Sequence, residues 1–355
     1  MFTLILLIVA ISVLILVHEW GHFYSARKLG VSVEEFGFGF PPRLVSRMWR
    51  GVRYSFNLLP LGGFVKIYGE HGEGESDQKS FMSRPVWQRF IILGAGVFMN
   101  IVLAWLFFSV GAAVGVPHIA QDDAQDIPVS IIAVLPETPA DRAGFRAGDQ
   151  ILEMRSGVVN AKVSHEGDIR AFVDAYAGEE VKISVRRGGE VREVSVIPRA
   201  RFPQGEGPLG IALAKLTVVR VPWYRAPVEG AETLWRSIVV TASGLAAIAR
   251  ELVSNGRTSV PVSGPVGIFF FAQDSTSLGI AYILQFVGLL SVNLAILNIL
   301  PIPALDGGRI LFLVIEKARG VRINPAIENI IHTAGFVILI LLMVVVTYYD
   351  IVRVL

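Results

Sequence analysis

Four long apolar segments almost without charge constrain most strongly how this chain can fold. They contain no Asp, Glu, Lys or Arg, His332 is their one histidine, and they comprise residues 1–17, 91–116, 278–305 and 330–349. A helix that crosses a bilayer needs roughly 20 mostly apolar residues, a length that the first segment reaches if its helix continues to about Tyr24. A cleaved signal peptide is the alternative there, but the segment has neither a basic start nor a small-residue cleavage site. The sequence therefore predicts four membrane-spanning helices.

The composition also indicates a membrane protein. Of 355 residues, 53% are hydrophobic and 17% are charged, whereas soluble domains carry about a quarter charged residues. The net charge is +2 without a long basic run, so nucleic acid is not predicted as a partner. Cysteine is absent, which excludes disulfide bonds and thiolate ligands or nucleophiles.

Residues 231–253 are a weaker candidate for a span. Arg236 and Arg250 bracket a short apolar stretch that is rich in Ala, Ser and Thr. This pattern predicts an amphipathic helix that lies on the membrane surface or packs against the spans. A fifth span is the alternative.

Basic residues in the shorter loops predict the orientation, because cytoplasmic loops carry an excess of Lys and Arg. The loop between the first two spans contains Arg27, Lys28, Arg43, Arg47, Arg50, Arg53, Lys66, Lys79, Arg84 and Arg89. The loop between the last two contains Arg309, Lys317, Arg319 and Arg322. Both loops are therefore predicted to be cytoplasmic, with residues 117–277 and both termini on the other side.

The first apolar segment is followed directly by His18-Glu19-Trp20-Gly21-His22, a pattern of the type H-E-x-x-H. Two histidines four residues apart lie on one helical face, where both imidazoles can bind one zinc ion. The glutamate between them can act as a general base toward a water molecule that zinc activates. Because hydrolysis needs water and a bilayer core excludes it, the motif predicts a polar cavity that opens to the cytoplasm.

A catalytic zinc usually has three protein ligands, and Asp306 is the candidate for the third. It lies in the run N-I-L-P-I-P-A-L-D-G-G of residues 298–308, whose two prolines break the helix. An ionisable residue at membrane depth is costly and is therefore a functional candidate. The alternatives are that Asp306 only caps the helix that continues at Arg309, and that His332 is the ligand.

The predicted topology and the predicted ligand support each other. If residues 278–305 run from the outside to the cytoplasm, Asp306 arrives level with His18 and His22. A fifth span at residues 231–253 would reverse that direction and place Asp306 at the opposite surface. Zinc bonds of about 2 Å would not permit that arrangement.

These motifs together resemble the site-2 protease family of intramembrane zinc metalloproteases, in particular its bacterial regulator-of-sigma-E branch. The combination of HEWGH with the downstream N-x2-P-x-P-x2-D-G pattern is the most specific part of the resemblance. Further matching segments are residues 36–42 (FGFGFPP), 59–64 (LPLGGF), 96–100 (GVFMN) and 263–268 (SGPVGI). The resemblance covers nearly the whole chain.

The resemblance implies roles for individual residues. Asn298, and with it Asn293, is implied to hold the substrate or the developing oxyanion. A helix–helix hydrogen bond is the alternative for Asn293. Asn100 is interpreted as a packing residue or a neighbour of the site without a chemical role. The implied zinc ligands are His18, His22 and Asp306, and the implied catalytic base is Glu19.

Residues 30–67 alternate aromatic and other residues at a period of two, which predicts strands. The resemblance implies a β-hairpin sheet that dips toward the active site. An exposed edge of that sheet could pair with an extended substrate. An ordinary cytoplasmic cap is the alternative.

Residues 126–199 combine predicted strands, such as 129–134, with a capped helix at 138–145, a helix at 169–175 and a hairpin around Gly188-Gly189. The run P-A-x-x-A-G-x-x-x-G-D-x-I resembles one PDZ domain, a module that binds peptides by strand addition. A degraded domain that only gates access is the alternative. Residues 202–213 are predicted to add a strand that returns the chain to the membrane.

The predicted fold class is an α-helical polytopic membrane protein with four transmembrane helices, a cytoplasmic-side β-hairpin region and one extracytoplasmic PDZ (α+β) domain. The predicted boundaries are residues 1–29 (first span with HEWGH), 30–90 (β-hairpin region and loop), 91–116 (second span), 117–215 (PDZ domain), 216–277 (amphipathic helix and connector), 278–305 (third span), 306–329 (cytoplasmic loop or helix) and 330–350 (fourth span).

The predicted function is that of a zinc metalloendopeptidase of the bacterial inner membrane. The resemblance implies single-span membrane proteins as substrates, such as anti-sigma factors or remnant signal peptides, cleaved in or near the transmembrane segment. The other predicted partners are the lipid bilayer and a peptide tail at the PDZ domain. The alternatives are a zinc transporter, which would use the same ligands without a base, and a non-catalytic PDZ adaptor without metal.

Overall fold

The computed structural model describes residues 2–70, 72, 74, 76–119, 127–203, 206–256 and 264–354. The helices within these residues are α1 Phe2–Lys28, α2 Val86–Val114, α3 Pro139–Ala143, α4 Glu166–Ala175, α5 Ala226–Asn255, α6 Pro265–Leu278, α7 Ile280–Ile299, α8 Asp306–Arg319 and α9 Pro325–Val354. The strands are β1 Val33–Trp49, β2 Val52–Ile67, β3 Val116–Ile119, β4 Val129–Val134, β5 Gln150–Ser156, β6 Val159–Lys162, β7 Val181–Arg187, β8 Glu190–Val196 and β9 Ile211–Val219.

Five helices in the described part of the chain are long and apolar enough to cross a membrane: α1, α2, α5, α7 and α9. The chain is therefore a polytopic membrane protein. Four of these helices coincide with the predicted spans. The fifth, α5, covers the segment that the sequence assigns to an amphipathic helix, so the number of spans stays a prediction.

Helix α5 packs against α2 and α7 through polar and small residues. Trp105 of α2 donates its indole N–H to the carbonyl of Pro227 over 2.9 Å. Further along α5, the hydroxyl of Thr241 donates to Oδ1 of Asn293 over 3.1 Å. A side chain at Gly230 would place a Cβ 2.2 Å from the Ser109 hydroxyl, so glycine permits this close approach. Packing against the spans was one of the two arrangements that the sequence predicts for this segment.

Helix α2 also contacts α1 and α7, and the three enclose the core of the bundle. Buried Ala10 and Leu14 of α1 meet Val287 of α7, and on another side Ala104 of α2 packs against Val292 of α7. Because side chains three and four apart share a helical face, this packing fixes the rotation of α1 about its axis. The residues after Leu14 on the same face of α1 therefore point into the bundle.

Strands β1 and β2 form one antiparallel sheet, in which the first part of β1 lies between the beginning and the end of β2. The first part of β1 pairs with the end of β2 on one side, where Phe36 lies opposite Val65. On its other side Phe36 lies opposite Tyr54, near the beginning of β2. Residues 63–67, here called the edge strand, thus have a neighbouring strand on one side only within the described residues. The alternation of aromatic residues predicted both strands correctly.

The remaining strands form one seven-stranded sheet in the order β3-β9-β4-β5-β7-β8, with β6 paired to β5. Its core contains Ile131, Met154, Ile183 and Phe172. The predicted capped helix is observed as α3, whose first turn is capped by the hydroxyl of Thr138. The predicted strand 129–134, helix 169–175 and glycine hairpin are present, whereas the last strand begins only at the end of the predicted 202–213 segment.

Candidate metal centre

Two histidines of α1 and the first residue of α8 meet at one point. His18 and His22 lie one turn apart on the same face of α1, and both are buried. Their Nε2 atoms are 3.1 Å apart. Oδ2 of Asp306 lies 2.9 Å from Nε2 of His18 and 3.4 Å from Nε2 of His22. In the described part of the chain, this is the one group of three or more such residues whose ligand atoms converge.

The three atoms fit a zinc ion. Tetrahedral zinc with bonds of about 2.0–2.2 Å holds its ligand atoms about 3.3–3.5 Å apart, and the observed separations of 2.9–3.4 Å lie close to this value. Oδ2 of Asp306 is buried and accepts no hydrogen bond of normal geometry from the described residues. Two imidazole nitrogens and one carboxylate oxygen are also the donor set of many catalytic zinc sites.

A tight turn brings Asp306 to the histidines. Leu305 occupies the N-cap position of α8, and Asp306 is the first helical residue. Asp306 is therefore not the cap itself, and its carboxylate is directed at the histidines. A Cβ at Gly307 would lie 2.1 Å from the carbonyl oxygen of Leu300. Glycine is required there because the backbone of the turn passes so close.

The ring of His22 is held from behind by α2. Its Nδ1 lies 2.8 Å from the carbonyl oxygen of Ile92. A carbonyl can only accept, so Nδ1 carries the proton and Nε2 keeps its lone pair for a metal. Second partners of this kind fix the tautomer and orientation of metal-binding histidines.

The ring of His18 is held by the buried side chain of Asn100, also on α2. Nδ2 of Asn100 is placed 3.2 Å from Nδ1 of His18, and Oδ1 of the same amide has no hydrogen-bond partner in the described chain. The two ends of an amide differ only in their hydrogen bonds. A histidine that binds metal through Nε2 carries its proton on Nδ1, so the amide must turn its oxygen toward the ring. Asn100 is thus a positioning residue for His18.

Replacement of Asn100 by leucine is expected to weaken zinc binding by about 10–100-fold, because His18 loses the acceptor that fixes its ring. Asn100→Asp keeps an acceptor and is expected to retain zinc. The measurement is competition for zinc against a chelator of known affinity. Ser291→Ala serves as the control, since the Ser291 hydroxyl donates to the backbone carbonyl of Asn100 and not to its side chain. Equal zinc affinity of the leucine and aspartate variants would contradict this role.

Gly96 lies one turn before Asn100 on α2 and faces the same two rings. A Cβ at this position would lie 2.4 Å from Nε2 of His22 and 2.7 Å from Cε1 of His18. Any side chain there would occupy the space of the ligand atoms. The pair Gly96 and Asn100 thus explains the G-V-F-M-N segment in structural terms.

Glu19 is adjacent to the three ligand residues and borders two cavities. Its Oε2 accepts a hydrogen bond of 3.0 Å from the backbone N–H of Val65 in the edge strand. The larger cavity has a volume of about 580 Å³ and lies between the edge strand, the metal centre and α9. The smaller has a volume of about 190 Å³ and lies between α1 and α7. Asp306 borders both cavities.

The structure separates the two asparagines of α7. Asn298 lines the smaller cavity together with His18, Glu19 and Asp306. Asn293 instead accepts a hydrogen bond from Thr241 of α5. A helix–helix contact was the alternative for Asn293, and this is the contact observed.

His332 is not a third ligand but supports the turn that carries Asp306. Its Nδ1 accepts a hydrogen bond of 2.9 Å from the backbone N–H of Ala304. Ala304 has a φ of 78°, in the left-handed region that costs a non-glycine residue energy. The hydrogen bond stabilises this conformation two residues before Asp306.

The sequence profile of Peptidase family M50 matches residues 6–342. A protein of Nostoc that carries the name zinc metalloprotease is 33% identical over 340 residues, which cover 94% of this chain and 91% of that protein. A protein of Clostridium perfringens with the same name is 33% identical, with 98% of both chains covered. The zinc metalloprotease RasP of Oceanobacillus iheyensis is 28% identical, with 99% of both chains covered.

The profile match includes the three residues of the candidate metal centre and parts of all five long apolar helices, so the similarity is not confined to one motif. The donor set and its geometry agree with the metal in the relatives' names. The chain belongs to peptidase family M50 and is a zinc metalloprotease of the site-2 type, an enzyme that works within a membrane.

Proposed function

We propose that this protease cleaves single-span membrane proteins in or near their transmembrane segments. Anti-sigma factors and remnant signal peptides are the proposed substrate classes, and a bacterial inner membrane is the proposed location. One observation carries the proposal: His18, His22 and Asp306 converge beside Glu19 at the end of an apolar helix. A substrate that lies in the bilayer can reach this depth without leaving it.

The proposed roles follow from the positions of the side chains. His18, His22 and Asp306 would hold zinc, which supplies Lewis acidity to a water molecule and to the scissile carbonyl. Glu19 takes a proton from the attacking water and delivers it to the nitrogen of the leaving amine. A C–O bond forms and the C–N bond breaks, so water is the one co-reactant. Asn298 donates its amide N–H to the developing oxyanion from the smaller cavity.

Four spans and a cytoplasmic active site form part of the proposal. Basic residues are concentrated in the two segments that connect spans near the metal centre. One begins at the end of α1, and the other includes α8. The larger cavity is lined by the polar groups of Glu70, Arg309 and Asn329, residues from these loops and from the start of α9. An excess of basic residues supports a cytoplasmic position, and a polar lining supports entry of water from that side.

The edge strand is the proposed docking site for the scissile segment. Phe64, Val65 and Ile67 line the larger cavity next to Glu19 and His22. A helical peptide bond is shielded by its own turns and must be unwound before attack. An extended segment paired to this edge would present its peptide bonds to the metal centre.

The seven-stranded sheet is the proposed PDZ domain, with a peptide groove between α4 and β9. The groove has a volume of about 470 Å³ and is lined by Ile169 of α4 and by residues 207–213. Strand β3 pairs only with Leu216 to Val219 of β9. Within the described residues, one side of residues 211–215 therefore has no neighbouring strand, and we propose it for strand addition. We place this domain on the extracytoplasmic side, where it would bind the tail of a trimmed substrate.

The test is cleavage of a panel of single-span membrane proteins by the purified, zinc-loaded protein, together with zinc analysis. We expect cuts inside or next to the transmembrane segments, and their loss after zinc removal. Deletion of residues 126–199 and the groove-filling variant Ala212→Trp test the peptide groove, with Val191→Trp on exposed β8 as the control. Cleavage confined to soluble loops would overturn the proposed substrate class.

A further inference from the structure

The edge strand contacts the proposed base through a backbone group that a substrate would also need. In an antiparallel sheet, the N–H and C=O of one residue point to the same side of its strand. The N–H of Val65 points away from β1, because it donates to Glu19 over 3.0 Å. The backbone N–H and C=O of Val65 therefore face an added strand.

The segment that leads directly into the edge strand is held to α1 independently of Glu19. The hydroxyl of Ser12 donates to the carbonyl of Pro60 over 2.9 Å. A Cβ at Gly62 would lie 2.7 Å from Ile15, so the backbone packs directly on the helix. The edge strand is thus expected to keep its position when the hydrogen bond between Val65 and Glu19 breaks. The side chain of Glu19 is the part that can move.

A peptide that pairs with this edge and Glu19 cannot both make a full hydrogen bond to Val65. Neighbouring strands lie about 4.8 Å apart, and Glu19 now occupies the space between Val65 and the metal ligands. The peptide carbonyl opposite Val65 must take over its N–H. The carboxylate of Glu19 then loses the hydrogen bond from Val65 at the same time as a substrate peptide bond is placed next to it.

We propose that the backbone N–H of Val65 couples substrate docking to the release of Glu19. Without substrate, the N–H holds the carboxylate against the edge strand. A docked segment accepts this hydrogen bond and leaves both carboxylate oxygens to the attacking water and the leaving amine. This inference rests on the proposed docking of extended substrates and makes Val65 a positioning residue.

Val65→Pro removes this N–H and little else. Proline is tolerated on edge strands where the missing N–H faces outward. Val65→Ala, which keeps the N–H, is the matched control. A third variant replaces Val65 by its α-hydroxy acid through nonsense suppression, which removes the N–H without a ring. It decides the question if the proline variant does not fold.

The first measurement is a binding cycle that needs no catalysis. The probe is an eight-residue peptide of alternating leucine and serine, with an uncleavable CH2–NH link in place of its central peptide bond. Its Kd is measured on the zinc-loaded full chain by fluorescence anisotropy. We expect Glu19→Ala to tighten binding about 3–10-fold when Val65 is present, and less than twofold in the Val65→Pro background. Equal effects in both backgrounds would show that the two groups do not compete.

The second measurement is the steady-state cleavage of a single-span substrate. If the substrate takes over the N–H, Val65→Pro raises KM about 3–10-fold and leaves kcat within twofold, because Glu19 is free in both enzyme–substrate complexes. A lower kcat at unchanged KM would overturn the coupling, since the N–H would then only orient the base. If the wild type cleaves no panel member but the binding cycle shows competition, the proposed substrates fail and the coupling stands.

Discussion

Glu19→Gln is expected to lower cleavage of a single-span substrate by about 10²–10⁴-fold while the protein keeps its zinc. The amide has the size of the carboxylate and can still accept the hydrogen bond of Val65. It cannot take a proton from water at neutral pH. The ligands His18, His22 and Asp306 are untouched, so the metal remains. Cleavage and zinc content are measured on the same preparation.

The matched control is Glu34→Gln, which removes a carboxylate that pairs with Lys66 on the first sheet. It is expected to retain both zinc and activity, because Glu34 lies outside both cavities of the site. Cleavage by Glu19→Gln within tenfold of the wild type would remove Glu19 as the base. A zinc transporter with these ligands would move zinc equally well with either residue.

Gly96→Ala is expected to abolish zinc binding and with it all cleavage. The new methyl group would lie 2.4 Å from Nε2 of His22, well inside van der Waals contact. Both rings are hydrogen-bonded to α2 itself, so a movement away from the methyl group would break these contacts. A displacement of a catalytic group by about 1 Å can already lower the reaction rate about 10²-fold. Zinc content per chain and cleavage rate are the two measurements.

Gly94→Ala is the control that separates this clash from a general effect on the helix. It lies two residues earlier on α2, where a Cβ meets nothing within 4 Å. Alanine stabilises helix interiors relative to glycine by about 0.5–1 kcal/mol, so this variant should fold and bind zinc normally. A Gly96→Ala protein with full zinc content would show that the two helices can separate at little cost.

The convergence of the three candidate ligands could be predicted because histidine and aspartate side chains are unusual in apolar segments. Two histidines at a spacing of four share a helical face, whatever that helix packs against. Asp306 stands out because a carboxylate at membrane depth is costly. Neither argument depends on tertiary packing. The same reasoning could not separate Asn293 from Asn298, since their partners lie on different helices and are far apart in the sequence.

The supporting residues were missed because their roles arise only where elements meet. The segment from Gly96 to Asn100 was noticed as a pattern, but its spacing of four says nothing about which helix it faces. Alternation predicted β1 and β2, but not that each pairs twice. That double pairing decides which backbone groups remain at an edge, and hence that Val65 contacts Glu19.

Four long apolar helices were predicted from the absence of charged residues. The same criterion did not identify α5 as a helix long and apolar enough to cross a membrane. Its two arginines lower its apolar character without preventing a long helix. Its hydrogen bonds with Trp105 and Asn293 join different helices, so these partners could not be predicted from the sequence. Composition therefore assigns the other four long helices more firmly than this one.

The order of the ligands along the chain has a consequence for biosynthesis. Asp306 follows His22 by about 280 residues, and ribosomes add about 5–20 residues per second. For roughly 15 to 60 s, the nascent protein carries the base and two ligands but no complete metal site. A ribosome-bound chain that has not yet reached Asp306 is therefore expected to be inactive toward neighbouring membrane proteins. Its catalytic power arises only when the last quarter of the polypeptide has joined the first helix.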